Sequence, residues 1–276
     1  MKLKCLTPHL GAEVLDLRIA EIATDPELAA SVRDAFDEHR VLLFRNQQID
    51  REQHKAFGRI FGALHVHPSK ASLGAGGDPE LFTVRTRDGT THVNGGRWHM
   101  DVSCEPAPPA ASILRLLTGP TVGGDTVFAN MHLAFELLSA PIRELLMHLR
   151  ADHDGLQDLR WYGVEPKPGQ TYPSATHPAV TAHPRTGRPT LFVNEAFTAR
   201  FTDLSTLESD ALLRMLFDHI ARNPALHCRV TWQPDTIVMW DNLAVQHHAV
   251  WDYVPSERRG ERVSVLADSP PVAYEA

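Results

Sequence analysis

Two short segments far apart in the chain hold the residue types of one metal site, and a fold that unites them must bring distant strands face to face. The first is Trp98-His99-Met100-Asp101; the second is Gln246-His247-His248, with His247 lying 146 positions after Asp101. A His-x-Asp triplet alone says little in a chain with 16 histidines. Its setting says more. On an extended segment residues i and i+2 point to the same side, so His99 and Asp101 can bind one cation. Trp98 and Val102 around them mark a partly buried strand end. A third donor from a distant strand completes two imidazoles and one carboxylate, a set that leaves positions open on non-haem iron. His247 and His248 both qualify. On a strand they face opposite ways, so only one can serve.

Two fixed cations follow. Arg258 and Arg262 lie 11 and 15 residues beyond His247. Arginine forks bind carboxylates and sulfonates through paired hydrogen bonds. Thr126, just after Gly123-Gly124-Asp125, can add a hydroxyl to the same anion.

The remaining chain predicts helices early and strands throughout. Asp25-Pro26 starts a helix that carries Leu28, Val32 and Phe36 and ends near His39. Asp50 caps a second helix reaching about Phe61. Further helices are expected over about 133–149 and 206–221. Strands are expected at 13–17, 41–44, 81–84, 111–117 and 191–194. Four more close the chain, at 227–232, 236–240, 247–251 and 262–266. Two stretches rich in glycine, histidine and proline, about 67–96 and 154–190, read as long loops and as candidate lids. No βαβ alternation and no repeat is present. The expectation is one domain, 1–276, mainly β with flanking helices, as a sandwich or jelly roll.

Composition narrows the partners. A net charge of −7 with no basic stripe argues against nucleic acid. No apolar run is long enough for a membrane span or a signal peptide. Three scattered cysteines form neither a disulfide framework nor a zinc motif, which fits a cytoplasmic protein. Most of the histidines are expected at the surface or at helix caps.

The combined motifs resemble the taurine dioxygenase (TauD/TfdA) family of Fe(II)/2-oxoglutarate dioxygenases. They are Trp98-His99-Met100-Asp101-Val102, Pro108-Pro109-Ala110, Gly123-Gly124-Asp125-Thr126, Trp240-Asp241-Asn242, Gln246-His247, Asp252-Tyr253 and Arg258 with Arg262. Segments at 39–44, 61–68 and 191–198 match as well. The resemblance implies a double-stranded β-helix, cupin-like, and selects His247 as the ligand. It implies Fe(II) held by His99, Asp101 and His247, with 2-oxoglutarate and O2 as co-substrates. Thr126 and Arg258 would bind 2-oxoglutarate. Arg262, His67, Val102 and Phe197 would meet an acidic small-molecule substrate. A homo-oligomer, dimer or tetramer, is also implied.

Three positions depart from the taurine enzymes. Lys70 stands where they carry a tyrosine, Gly95 where they carry an asparagine, and Gly155 where a phenylalanine closes the pocket. Two of these changes remove bulk, so a larger pocket is expected, with the contact to taurine's amine lost. Lys70 either adds a second cation or points into solvent. The expected activity is hydroxylation of an alkylsulfonate, taurine-like acid or alkyl sulfate, with release of succinate and CO2. The alternatives are the same chemistry on an aryloxyalkanoate or a biosynthetic intermediate, a non-catalytic binding protein of this fold, or a zinc hydrolase or isomerase using the same triad.

Overall fold

Val41-Leu42-Leu43-Phe44 is apolar on both sides of its backbone because both sides are covered. In the computed structural model, which describes all residues except 69–76, 88, 91–94, 166–170 and 276, it lies inside a seven-stranded sheet. In chain order the strands are β1 (Leu3–Cys5), β2 (Ala12–Val14), β3 (Val41–Phe44), β4 (Phe82–Thr86), β5 (Ala111–Thr118), β6 (Thr126–Asn130), β7 (Arg150–Asp154), β8 (Ser174–Pro178), β9 (Val180–Ala182), β10 (Pro189–Leu191), β11 (Thr198–Phe201), β12 (His227–Val230), β13 (Ile237–Asp241), β14 (Val245–Ala249), β15 (Arg258–Val265) and β16 (Val272–Ala273). The helices are α1 (Ile19–Ile22), α2 (Pro26–His39), α3 (Arg51–Arg59), α4 (Met131–Glu136), α5 (Ala140–Met147), α6 (Gly155–Trp161) and α7 (Thr206–Arg222).

The large sheet runs β1-β2-β3-β13-β5-β15-β4, antiparallel except at the β2/β3 pair. A smaller sheet runs β12-β6-β14. Side chains alternate across the large sheet. Leu42, Phe44, Ile113, Ile237 and Met239 turn toward the helical face and pack with Phe36 and Phe57. Val41, Leu43, Leu114, Leu116, Val238 and Trp240 turn the other way and meet Phe128, Val230 and Val245 of the smaller sheet. Each such buried side chain contributes about 1.5–3 kcal/mol. The site forms between these two sheets.

Local signals hold where a cap or a pattern is explicit. Asp25 accepts hydrogen bonds from Glu27 and Leu28, with Pro26 in the first turn of α2. Asp50 and Gln53 form a capping box on α3, and Ser205 and Glu208 do so on α7. Other expectations change. The helix expected over 133–149 is two, because Ser139 and Pro141 end one and start the next. The loop expected over 154–190 holds α6, β8, β9 and β10. β6 is a strand with no forecast, and β2 stops at Val14 rather than residue 17. β15 starts at Arg258, four residues before the strand expected from 262, so both arginines lie on it. Lys70 falls outside the described residues. No helix among the described residues is long and apolar enough to cross a membrane.

The histidines also differ from expectation: seven of the fifteen described ones are buried. They are packing and hydrogen-bonding residues rather than surface decoration. Burial pushes His54 down to about 4, and His132 and His153 down to about 3. These groups stay neutral in the folded chain and take up protons near pH 6.5 when it unfolds. The stability they contribute is complete above that pH and is lost as pH falls through it. The unfolding free energy should therefore drop by about 1.4 kcal/mol per pH unit per histidine below pH 6, as measured by denaturant titration at pH 8, 6 and 5. A flat profile would contradict their neutral burial.

A second prediction concerns β15. Arg258, Gly260 and Arg262 share one side of the strand, next to an irregularity between Arg259 and Gly260. A Cβ on Gly260 would stand 2.9 Å from the Arg115 carbonyl oxygen. Gly260→Ala should cost about 1–3 kcal/mol, read as a lowered denaturation midpoint.

Candidate metal centre and substrate cavity

His99 lies beside β14, where its N–H donates to His247 O at 3.1 Å and the His247 N–H donates to His99 O at 2.9 Å. This antiparallel pair sets the two imidazoles 3.9 Å apart, centroid to centroid. Asp101, two residues on, turns the same way. Its Oδ1 lies 3.8 Å from His99 Nε2 and 3.9 Å from His247 Nε2. All three donor atoms fall within 4.8 Å of one another. His248 turns to the opposite face and meets the edge of Trp98.

Each donor is held by its surroundings. His99 Nδ1 bonds the Arg97 carbonyl at 2.8 Å, which leaves the Nε2 lone pair inward. The His247 ring packs on Trp240, 4.7 Å between centroids. Asn242 grips the Asp101 backbone from both sides: its Oδ1 accepts the Asp101 N–H at 2.7 Å, and its Nδ2 donates to Asp101 O at 3.0 Å and Pro109 O at 2.9 Å. Ser112 Oγ donates to Asp101 Oδ2 at 2.7 Å, and Arg262 donates to Oδ1. Burial alone would raise the Asp101 pKa, but Arg262, His247, His99 and the Ser112 bond outweigh it and hold it well below the usual range. Burial, reinforced by His99, pushes His247 far down. A neutral imidazole and an ionised carboxylate are the forms that bind a divalent ion. The donor set thus fits Fe(II).

The donors open onto a cavity of about 230 Å³. Arg258 lies in its wall with its guanidinium 5.3 Å from the centre of the Trp232 ring. Trp232 Nε1 donates to Thr126 Oγ1 at 2.9 Å. Arg258 is 4% exposed, its Nε has no hydrogen-bond partner among the described residues, and burial pushes its pKa down. A buried arginine without a counter-ion is costly unless a ligand supplies one. Arg262 lies 5.0 Å from the Phe82 ring centre, and the Phe82 ring packs on His67.

Of the residues expected at the substrate, His67, Gly95, Val102, Phe197 and Arg262 line this cavity. Val102 adopts φ +40°, a costly conformation for a β-branched residue, directly after Asp101. Gly155 does not line the cavity: a Cβ there would meet Pro173 O at 3.1 Å and Cys104 Sγ at 3.2 Å. Gly95 has φ +83°, and a Cβ would stand 3.0 Å from the His99 ring. Neither glycine leaves the extra room expected of it. The wall is supplied instead by Asp158, Leu159 and Tyr162 of α6 and the turn after it. These three escaped the sequence reading, although Asp154 caps the helix through the Leu156 N–H and was a usable signal. Ser112, Trp232 and Asn242 were missed as supports because nothing local marks them.

Known proteins of this kind share the whole architecture. The model of the taurine catabolism dioxygenase TauD, TfdA family matches residues 2–264. The chain is 33% identical to an alpha-ketoglutarate-dependent sulfonate dioxygenase of Saccharomyces cerevisiae, over 98% of this chain and 68% of that one. It is 32% identical to an alkylsulfatase of Acinetobacter baylyi, over 97% of this chain and 86% of that protein. A taurine dioxygenase structure from Burkholderia xenovorans superposes with a TM-score of 0.83 at 32% identity, covering 100% of this chain and 96% of that one. The structure of AAD-2 with Mn(II) and N-oxalylglycine superposes at 0.84 with 26% identity, covering 98% and 99%.

Asn242→Ala should weaken Fe(II) or Mn(II) binding by about 10- to 100-fold, measured by anaerobic metal titration of folded protein. An unchanged affinity would limit Asn242 to a role in the fold.

Proposed function

The chain belongs to the TauD/TfdA family, and from that premise we propose that it hydroxylates a small organic acid bearing a sulfonate or sulfate ester. The protein is a 2-oxoglutarate-dependent dioxygenase, and its family works with Fe(II) and 2-oxoglutarate. We take the large sheet and β12-β6-β14 as the two halves of one double-stranded β-helix, a jelly roll spanning a single domain.

His99, Asp101 and His247 would hold the iron. When bound, iron couples the oxidative decarboxylation of 2-oxoglutarate, to succinate and CO2, to insertion of the second atom of O2 into a substrate C–H bond. The chain's own residues supply position and charge. Arg258 and Thr126 take the far carboxylate of 2-oxoglutarate, and Trp232 keeps both in place. Arg262 and His67 take the substrate's acid group. Val102 and Phe197 wall the carbon that reacts and exclude water. The observation that carries the reading is the buried Arg258, whose Nε has no hydrogen-bond partner among the described residues, in the same cavity as the His-Asp-His cluster. A zinc hydrolase would have no use for it.

The substrate class is supported by relatives whose names specify sulfonates and sulfate esters, in yeast, Acinetobacter and Pseudomonas putida. An aryloxyalkanoate is the second reading, favoured by the Phe82 and Phe197 side chains in the wall and by a (S)-phenoxypropionate enzyme at 27% identity. Succinate release across alkanesulfonates, alkyl sulfates and phenoxyacetates separates the two. Arg258→Ala should raise the KM for 2-oxoglutarate by about 10- to 100-fold. Arg262→Ala should raise the KM for the acidic substrate more than that for 2-oxoglutarate. Equal effects of both variants on both ligands would refute the assignment.

A further inference from the structure

Helix α6 and the turn after it present Asp158, Leu159 and Tyr162 to the cavity, at spacings that share one helical face. The helix is fixed in place. Gln157 Nε2 donates to Glu195 O and Thr198 O, both at 3.2 Å. The Arg97 guanidinium lies 4.7 Å from the centre of the Trp161 ring. Tyr162 Oη accepts the Gly95 N–H at 3.0 Å. These contacts tie the segment to its neighbours and place Asp158 in the cavity wall.

Asp158 is half-buried, yet its carboxylate makes no hydrogen bond or ion pair among the described residues. Burial pushes its pKa up, against the pull of His99 and Arg97. An acceptor-only group left unmatched in a binding cavity is costly. It also repels the acid that Arg262 and Arg258 attract. The cavity is therefore bipolar, with cationic residues and, besides the metal-site Asp101, the carboxylate of Asp158 in its wall, and Phe82, Val84, Leu159 and Phe197 supplying apolar surface.

We propose that Asp158 is a specificity-determining residue that accepts a hydrogen bond from a hydroxyl or ammonium group on the substrate end remote from its acid. The inference rests on the acid-binding role given above to Arg262, and it narrows the substrate to acids with a donor at the far end. An acid with a plain alkyl tail would bury the Asp158 carboxylate without replacing its water, and sites built to bond a substrate donor reject analogues that lack it. The contact is not at the Gly95 position, where the sequence comparison placed the loss of an amine contact.

The test is equilibrium binding under anaerobic conditions, with Fe(II) and 2-oxoglutarate present. The ligands are alkanesulfonates, alkyl sulfates and alkanoates of matched length ending in ammonium, hydroxyl or methyl. Succinate release in air from the same compounds is the second readout. The native protein should bind the ammonium or hydroxyl forms about 10- to 100-fold more tightly than the methyl forms. Asp158→Leu should erase or invert that order, and Asp158→Asn should keep the hydroxyl preference while losing most of the ammonium preference. Equal binding of all three ends, binding of none, or an order unchanged in Asp158→Leu would overturn the assignment. Donor-dependent binding without succinate from any compound would leave Asp158 in this role and refute the proposed reaction. Succinate formed equally from methyl and ammonium ends would do the reverse.

Discussion

Two backbone hydrogen bonds between His99 and His247 tie together stretches of chain more than half the sequence apart. Everything at the site depends on this pair. It fixes the distance between the imidazoles, and through the period of an extended strand it decides that His247, not His248, turns inward. It also fixes where Asp101 stands, because Asp101 follows His99 by two residues on the same segment. Asn242, next to the last residue of β13, then locks that segment from the other sheet. The metal donors are thus braced by both sheets rather than carried on a mobile loop.

The electrostatics have the same economy. Asp101 is buried and ionised because Arg262 and two histidines stand around it and Ser112 donates to it. Arg258 is buried with no carboxylate bonded to it among the described residues, which suits the anion-binding role proposed for it. The two arginines share one side of β15, four residues apart, with Gly260 between them allowing the strand to close on β5. One strand therefore serves the metal side and the anion side together. A shift in its register would disturb both.

The legible part of this chain is the part governed by local or period-two rules. Asp25 and Asp50 announced their helices, and Val41–Phe44 announced a covered strand. The residues expected around iron and 2-oxoglutarate come together: His99, Asp101, His247, Thr126, Arg258 and Arg262 all line one cavity. What could not be read depends on contacts between distant segments. Gly95 and Gly155 looked like missing bulk, yet one is small because a histidine ring presses on it and the other because Cys104 and Tyr172 fill its space. The histidines were expected mostly at the surface or at helix caps, yet many of those rings are buried, including His153 between Ser103 and Thr198.

This division has a physical cause that bears on function. The metal half is assembled from β14 and the short segment that bridges to it at His99, whose positions follow from alternation and pairing and so leave a trace in sequence. Apart from Arg262 on β15, the proposed substrate half draws on α6, Phe197 and His67, whose relative placement is set by tertiary packing. Asp158 shows the consequence. In sequence it is one acid in an irregular, polar stretch, and its unpaired carboxylate gains meaning only when the helix is seen against Arg97, His99 and the cavity. The chemistry of such an enzyme is therefore written in its strands. The choice of substrate is written in the packing of the segments that cover them.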